Sequence, residues 1–368
     1  MTEPTPKPWI EAIAAYVPGR ATAAPGQRVI KLSSNENPLG PSPKALEAMQ
    51  KMLGKSARYP DGASHDLRDA LAAAHHIEAE RIVCGTGSDE ILQLLAQAYA
   101  SHGDEVLYVR HGFMVYPIAA QRAGATPIAA PDRDYTADVD ALLAAVTPRT
   151  RLVYLANPNN PTGTMIKRAE VERLHAGLSK DVVLVLDAAY AEYVDDPDYE
   201  DGIAMARIHP NVVTTRTFSK IYGLAAERVG WAYGHPRLIA TLNRIRAPFN
   251  VTTTGSAGAI AALADTAWLD HCRAENRKWR AWLVQELEGL GNAGIGIVPS
   301  AANFILATFP HSGPLTAEKV NEALLAQGII VRWLPNQGLG HALRISIGTE
   351  EETRLFADAL RQIVEKAR

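Results

Sequence analysis

Short runs of valine, isoleucine and leucine alternate with longer amphipathic stretches from about residue 81 to about residue 217. The short runs have the length and composition of β-strands, whereas the apolar residues of the longer stretches recur at the spacing of one helical face. The predicted strands are RIVCG, EVLYV, TPIAAP, RLVYLAN, VVLVLD and VVTTRTF. Strands that alternate with helices indicate βαβ units and a mostly parallel sheet, and VVLVL is typical of a strand buried on both faces.

The predicted helices lie between and before these strands. They are SDEILQLLAQAYA, ADVDALLAAV, a short stretch after VVLVLD, and residues 43–53, 64–75, 114–123 and 167–178. After about residue 250 a long helical region leads into a different pattern, in which the strands NFILATF, GIIVRW and ALRISIG accompany helices at 316–327 and 350–367. A separate block of this kind predicts a second domain.

We therefore expect an α/β fold with three parts. Residues 1–43, rich in proline, glycine and asparagine, form an N-terminal arm. Residues 44–249 form a large domain whose mostly parallel central sheet is flanked by helices, and residues 250–368 form a smaller α+β domain.

Composition narrows the class of protein. The chain has 368 residues, 47% of them hydrophobic, and a formal net charge of −3. No basic block indicates nucleic-acid binding, and no apolar run reaches the roughly 18 residues of a membrane span. Two distant cysteines, Cys84 and Cys272, make neither a disulfide framework nor a zinc site. Because the proline-rich N-terminus is also unlike a signal peptide, we expect a soluble cytoplasmic protein without a metal site.

Polar residues follow several of the predicted strands. Gly87-Ser88-Asp89 follows RIVCG, NPNNPTG follows RLVYLA, Asp187 ends VVLVLD, and Ser219-Lys220 follows VVTTRTF. In open α/β sheets, ligands bind outside the carboxyl ends of the strands. These residues are therefore expected to lie on one rim and to contact one ligand.

Part of this rim has the character of an anion site. The turn before SDEILQ opens a helix, whose free amides attract a phosphate. Arg228 offers a planar guanidinium that matches phosphate oxygens, and Thr217 and Ser219 offer hydroxyls. A capped helix N-terminus, a surface arginine and ordinary strand-end polarity explain the same residues taken singly.

Lys220, Asp187 and Tyr190 form the second part of the rim. A lysine beside a bound aldehyde can form a Schiff base, and a dry, cation-rich pocket lowers its pKa and frees the amine for proton transfer. Asp187 ends the most apolar strand, where a carboxylate is costly unless it is paired, for example with a protonated ring nitrogen. A solvated lysine, a capping aspartate and a core tyrosine remain the ordinary alternatives.

Seven motifs, in their order and spacing, resemble the fold-type I pyridoxal-phosphate aminotransferases of class I and II, and among them most of all the histidinol-phosphate aminotransferases. The motifs are SNENPLGPSP, RYPDG, GTGSDE, NPNNPTG, LDAAY, RTFSKIYGLAAERVGW and PSAANF. The resemblance extends from Tyr16 to LRISIGT near the C-terminus.

The resemblance implies roles for individual residues around pyridoxal 5'-phosphate. Lys220 matches the lysine that bonds to the cofactor aldehyde, and Asp187 matches the partner of the ring nitrogen. Ligands of the phenolic oxygen are implied at Tyr190 and Asn160. The phosphate ligands are implied to be Gly87, Ser88, Asp89, Thr217, Ser219, Arg228 and, from a neighbouring subunit, Tyr59.

Further roles concern the ring face and the substrate. Phe113 lies where the family has an aromatic residue stacked on the cofactor ring, usually a tyrosine. Arg344 matches the arginine that binds a substrate carboxylate, and Arg332 a second anion-binding arginine. Tyr16 and Asn37, in the arm, are expected beside the substrate. The arm is expected to pack with the small domain and with the partner subunit of a homodimer.

The implied reaction is amino transfer between histidinol phosphate and 2-oxoglutarate. An aromatic amino acid aminotransferase and a decarboxylase of a phosphorylated amino acid are the alternatives with the same cofactor; a cofactor-binding regulator and a non-catalytic α/β binding protein are the more distant ones. Three residues depart from the family pattern: Ala188, where the family commonly has glutamate, Glu227 beside Arg228, and Phe113.

Overall fold

The computed structural model describes residues 3–14 and 28–367. Its helices are α1 (Pro8–Glu11), α2 (Pro43–Met52), α3 (His65–His75), α4 (Gly87–Tyr99), α5 (Val115–Arg122), α6 (Val139–Ala144), α7 (Arg168–Gly177), α8 (Ile203–Ile208), α9 (Pro236–Ile245), α10 (Thr253–Ala264), α11 (Thr266–Glu288), α12 (Ala317–Ala326) and α13 (Glu350–Ala367). Its strands are β1 (Ile30–Lys31), β2 (Ile82–Thr86), β3 (Glu105–Val109), β4 (Thr126–Ala130), β5 (Asp132–Arg133), β6 (Thr136–Ala137), β7 (Thr150–Ala156), β8 (Val183–Asp187), β9 (Val212–Thr217), β10 (Val229–Gly234), β11 (Gly296–Val298), β12 (Phe304–Thr308), β13 (Ile329–Ile330), β14 (Arg332–Leu334) and β15 (Leu339–Ser346).

A seven-stranded sheet forms the centre of the larger lobe, with strand order β2-β10-β9-β8-β7-β3-β4. Its strands are parallel except β10, which pairs antiparallel with both β2 and β9. Every residue of β8 is buried, as the apolar run predicted. The mostly parallel α/β sheet predicted from the sequence is therefore confirmed.

The sequence analysis did not assign β10, because this strand contains glycines and no run of β-branched residues. It did not assign α9 either. A close backbone contact requires glycine at one of the β10 positions. A Cβ at Gly230 would lie 2.2 Å from the backbone nitrogen of Ser88. Glycine therefore lets β10 pass directly against the first turn of α4, at the edge where the predicted site lies.

A second sheet, of order β11-β12-β15-β14, is antiparallel and belongs to a second hydrophobic core. Helices α12 and α13 contribute to this core through Val320 and Phe356. Near the N-terminus, β1 pairs in parallel with β13, and Ile30 and Leu32 enter the same core. The segment that leads towards the site is thus anchored on the smaller lobe.

The change from one core to the other differs from the predicted boundary at residue 250. Ala259 and Ala262 of α10 lie in the core of the larger lobe, because the small residues of this helix let it pack closely on α2 and α3. Helix α11 contributes Cys272 to that first core, and Trp279 and Leu283 to the second. Helix α11 therefore contributes to both cores, and Ala302 and Phe304 beyond it still pack in the first.

In the described ranges, none of the helices combines the length and the apolar character needed to cross a membrane. The thiols of Cys84 and Cys272 are both free and buried.

Candidate active site

A cavity of about 200 Å³ lies at the carboxyl ends of β7, β8 and β9, where both lobes contribute to its walls. The residues predicted from the sequence that line it are Ser88, Asp89, Phe113, Asn160, Asp187, Tyr190, Thr217, Ser219, Lys220, Arg228, Arg332 and Arg344. The parallel sheet thus brings residues from distant motifs to one rim, as expected for this architecture.

Lys220 lies three residues beyond the end of β9, and its side chain is only partly exposed. Burial lowers the pKa of this lysine to about 8, and the positive charges of Arg344 and Arg228 add to the effect. Its ammonium nitrogen is 5.7 Å from the centre of the Tyr190 ring. An amine with this pKa loses its proton readily near neutral pH, as a nucleophile or base must.

Asp187 ends β8 and is 5% exposed. The hydroxyl of Tyr116 donates to its Oδ2 at 2.8 Å, and the hydroxyl of Thr215 donates to its Oδ1 at 3.2 Å. Burial nevertheless raises the pKa of Asp187 to about 6. A buried carboxylate on a cavity wall favours a cationic partner, which would restore its ordinary ionisation.

An anion cradle surrounds the first turn of α4. Gly87 has φ +73° and its amide donates to the carbonyl oxygen of Arg228 at 2.9 Å. The Arg228 guanidinium donates to Ser219 Oγ at 3.0 Å and lies 3.6 Å from the Asp89 carboxylate. A Cβ at Gly87 would lie 2.5 Å from Arg228 Nη2. Glycine therefore permits both the backbone conformation and the approach of the guanidinium to the helix N-terminus, where an anion is favoured.

Tyr190 receives a partner that the sequence analysis missed. Asn35 is buried, has φ +55°, and its side-chain amide donates to the Tyr190 hydroxyl at 2.9 Å. Ser346 of β15 donates to the side-chain oxygen of Asn35 at 3.0 Å. The quoted motif SNENP contains Asn35, so the signal was present, but residue type alone does not distinguish it from Asn37.

Arg344 connects three parts of the chain. Its guanidinium donates to Asn160 Oδ1 at 2.6 Å and to the carbonyl oxygen of Ser33 at 2.7 Å, and it lies 5.3 Å from the centre of the Phe304 ring. Arg332 lies directly opposite Arg344 in the antiparallel pair of β14 and β15. The two predicted anion-binding arginines therefore stand side by side on one wall of the cavity.

Phe113 lines the cavity and contacts Tyr116 edge to face, with 5.8 Å between ring centres. Glu227, which departs from the family pattern, accepts a hydrogen bond from Thr254 of α10 at 3.0 Å. Its carboxylate is thus held by a helix of the larger lobe, while the ion pair of Arg228 is made with Asp89.

Two predicted residues, Tyr59 and Asn37, do not line this cavity, whereas Gly87 lies beside it in the anion cradle. Tyr59 is 83% exposed and stacks on Phe249 at 4.6 Å. Asn37 does not line the cavity, a correction to its predicted place: its amide donates to the carbonyl oxygen of Ile221 and to the Cys272 sulfur, which fixes it in a neighbouring cavity. Tyr16 lies outside the described residues.

The sequence analysis gave no role to the other residues of the cavity wall, although Ser34, Asn35, Pro158 and Ala189 belong to motifs quoted there. These other residues are Ser33, Ser34, Asn35, Met114, Tyr116, Ala156, Pro158, Ala189, Leu334 and Gln337. Thr215, two residues before Thr217 on β9, was missed as well. It reaches Asp187 because β8 and β9 place these two residues opposite each other.

Comparison with known proteins agrees with this geometry. The sequence profile of the family described as aminotransferase class I and II matches residues 27–360. The histidinol-phosphate aminotransferase of Sphingopyxis alaskensis is 56% identical over 97% of this chain and 96% of its own, and that of Zymomonas mobilis is 54% identical over 98% of each. The crystal structure of the histidinol-phosphate aminotransferase of Sinorhizobium meliloti in complex with pyridoxal-5'-phosphate superposes with a TM-score of 0.89, at 30% identity and 98% coverage of both chains. The chain therefore belongs to the class I and II aminotransferases.

Proposed function

We propose that the chain is a pyridoxal-phosphate-dependent histidinol-phosphate aminotransferase, which transfers an amino group between L-histidinol phosphate and 2-oxoglutarate in histidine biosynthesis. The likeness to relatives of that name extends over nearly the full length of both chains. The observation that carries the proposal is the meeting of Lys220, Asp187 and the anion cradle in one cavity.

The residues of the cavity fit the cofactor. The cradle at Gly87, Ser219 and Arg228 suits a phosphate dianion, and the absence of a Cβ at Gly87 leaves room for the guanidinium that would bind it. Asp187 is a buried carboxylate in need of a cation, which a protonated ring nitrogen supplies. Tyr190 and Asn160 would hold the phenolic oxygen. When bound, pyridoxal phosphate supplies the electron sink that stabilises negative charge on the substrate carbon.

Lys220 has two tasks in this proposal. With the cofactor bound, its neutral amine would hold the cofactor aldehyde by condensation with loss of water, and once freed by the substrate amine it would carry a proton to or from the substrate carbon. A pKa of about 8 leaves a useful share of the amine neutral near pH 7 while it remains a competent acid when protonated. Its position among Arg344 and Arg228 therefore supports both halves of the reaction.

The two arginines support a substrate with two anionic ends or one dianion. Histidinol phosphate has a phosphate and no carboxylate, whereas glutamate has two carboxylates. Arg332 and Arg344, on adjacent strands, can bind either kind of anion. A neutral aromatic side chain forfeits one charge-assisted contact, which corresponds to roughly tenfold to a hundredfold in specificity.

The test compares amino donors. We expect kcat/KM for histidinol phosphate with 2-oxoglutarate as acceptor to exceed the values for phenylalanine and tyrosine. Preference for an aromatic amino acid would replace this proposal with an aromatic aminotransferase. Because histidinol phosphate has no carboxylate, its turnover to an oxo product also separates amino transfer from decarboxylation.

We further propose that the enzyme acts in the cytoplasm as a homodimer that shares its active sites, with the arm of each chain packed on its partner. The exposed position of Tyr59, outside the cavity of its own chain, supports this assembly. Besides the second chain, the partners that the proposal needs are the substrates, an amino donor and a 2-oxo acid.

A further inference from the structure

Tyr116 is a buried tyrosine whose hydroxyl is directed at Asp187. It is 1% exposed, and its hydroxyl donates to Asp187 Oδ2 at 2.8 Å. Its ring stacks on Tyr154 with 4.6 Å between centres and an angle of 7°, and Phe113 packs on its edge. Packing on two sides restricts the ring, so the direction of the hydroxyl is set before any ligand binds.

The hydroxyl of Tyr116 acts as a donor throughout the accessible pH range. Burial, followed by the negative charge of Asp187, raises the pKa of Tyr116 well above its ordinary value. The phenol therefore stays protonated, and its proton points to the carboxylate. Tyr116 thus stabilises the charged form of Asp187 against the cost of burial.

Groups from several neighbouring elements change the pKa of Asp187. From α4, the charge of Asp89 raises the pKa of Asp187, while the Thr215 hydroxyl of β9 lowers it, as Tyr116 does. The other titratable or charged groups that interact with Asp187 or share its cavity are Tyr154, Tyr190, Tyr199, Lys220, Arg228, Arg332 and Arg344. Of the two hydroxyl groups that donate to the carboxylate, that of Tyr116 makes the shorter hydrogen bond.

We propose that Tyr116 is a positioning residue for the cofactor ring: it holds the Asp187 carboxylate charged and in place before pyridoxal phosphate arrives, and the proposal rests on the function proposed above. Without Tyr116, the carboxylate of the cofactor-free enzyme takes up a proton more readily. Binding of a protonated ring nitrogen must then expel that proton. The variant therefore loses affinity for pyridoxal phosphate only at a pH where Asp187 of the cofactor-free enzyme is protonated.

The pH dependence distinguishes this role from simple packing. A hydrogen bond to a charged group corresponds to about a tenfold change in proton affinity. For Tyr116→Phe, we expect the dissociation constant of pyridoxal phosphate to rise about five- to tenfold over wild type at pH 5.5 and to be nearly unchanged at pH 9. At pH 9 Asp187 is charged with and without the cofactor, so the lost hydrogen bond cancels.

Tyr154→Phe is the matched control. Tyr154 is fully buried in the same stack, but its hydroxyl donates to the carbonyl oxygen of Leu92. This variant removes a buried hydroxyl of the same kind without removing a donor from Asp187. The ratio of its dissociation constant for pyridoxal phosphate to that of wild type should therefore not change with pH.

A second measurement needs no cofactor. The carboxyl carbon of Asp187, labelled with ¹³C-aspartate and assigned through Asp187→Asn, should titrate about one pH unit higher in Tyr116→Phe than in wild type. An unchanged midpoint, or a cofactor affinity weakened equally at pH 5.5 and pH 9, overturns the inference. Failure of wild type to bind pyridoxal phosphate would instead overturn the proposed function, and the ¹³C titration would still decide the role of Tyr116.

Discussion

At the scale of single residues, the site shields two ionisable groups from most of the surrounding water before any ligand binds. Burial raises the pKa of Asp187 to about 6 and lowers that of Lys220 to about 8. Each shift reflects a charged form that folding destabilises, and the cost is recovered only when the cofactor supplies partners. The site is therefore a local weakness of the cofactor-free protein.

Asp187→Asn should stabilise the cofactor-free protein in a pH-dependent way. Because the folded-state pKa of Asp187 is raised, its contribution to stability is present below about pH 4 and is lost as pH rises through 6. The asparagine does not titrate, so its advantage over wild type should grow by on the order of 2 kcal/mol between pH 4.5 and pH 7.5. Urea unfolding of both proteins at the two pH values measures this. An advantage that is the same at both values would show that Asp187 is not destabilised by burial.

Lys220→Ala should abolish amino transfer while the fold is retained, because Lys220 is the one lysine among the described residues that line the cavity and could bond to the cofactor aldehyde. Borohydride reduction of the wild-type enzyme with bound cofactor, followed by peptide mapping, should label Lys220. Lys180→Ala, a change at an exposed lysine, serves as the control and should keep full activity. Label on another lysine would refute the assignment.

At the scale of elements, the anion cradle depends on the junction of α4 with β10. Gly230 lets β10 approach the first turn of α4, and the carbonyl of Arg228 accepts the Gly87 amide. Arg228 itself adopts φ +54° directly before β10, which turns its side chain back over the helix N-terminus. The antiparallel strand, unassigned in the sequence, is thus what delivers the guanidinium.

Gly87→Ala should therefore weaken phosphate binding more than it weakens the fold. The new Cβ would meet the far end of Arg228, a flexible group that can move away and leave the cradle. Gly103→Ala is the matched control, since Gly103 also has positive φ but a Cβ there meets nothing within 4 Å.

Both variants should lose about 1 kcal/mol of stability from the backbone conformation. Only Gly87→Ala should raise the dissociation constant of pyridoxal phosphate, by about tenfold for one weakened charge-assisted contact. Fluorescence titration and thermal unfolding measure the two effects. Equal cofactor affinity in the two variants would mean that the position of the Arg228 guanidinium does not depend on glycine at residue 87.

At the scale of the whole molecule, the cavity is assembled from both lobes and from the segment before α2. Arg344 of the smaller lobe binds Asn160 of the larger lobe and the Ser33 carbonyl of that segment. Asn35 in turn links Tyr190 to Ser346. A substrate bound at Arg344 therefore acts on contacts between all three parts at once.

Tyr59 extends this argument to the partner chain. Mixed dimers of Lys220→Ala and Tyr59→Phe should contain one intact site, made of Lys220 from one chain and Tyr59 from the other. Because random mixing yields half hybrids with one such site each, we expect about a quarter of wild-type activity above the parental background. Activity no higher than the mean of the two parents would place Tyr59 with its own chain. Size-exclusion chromatography of each preparation confirms that the species compared are dimers.

The sequence by itself determined the order of the elements and most of the rim. Apolar runs identified the parallel strands, and the rule that ligands bind at their carboxyl ends gathered Asp187, Ser219 and Lys220 correctly. These inferences succeed because a strand and the residue that ends it are neighbours in the chain. Local patterns sufficed for β8 and failed for β10, whose glycines reflect contact with α4 rather than strand propensity.

Only the tertiary structure decided which side chains complete the site. Tyr116 and Thr215 reach Asp187 across gaps of 71 and 28 residues, and Asn35 reaches Tyr190 across 155. Nothing local distinguishes Asn35, which faces the cavity, from Asn37, which turns to Ile221 and Cys272. A hydrogen bond between distant elements exists only once packing has set their separation and direction, so its partners cannot be read from either segment alone.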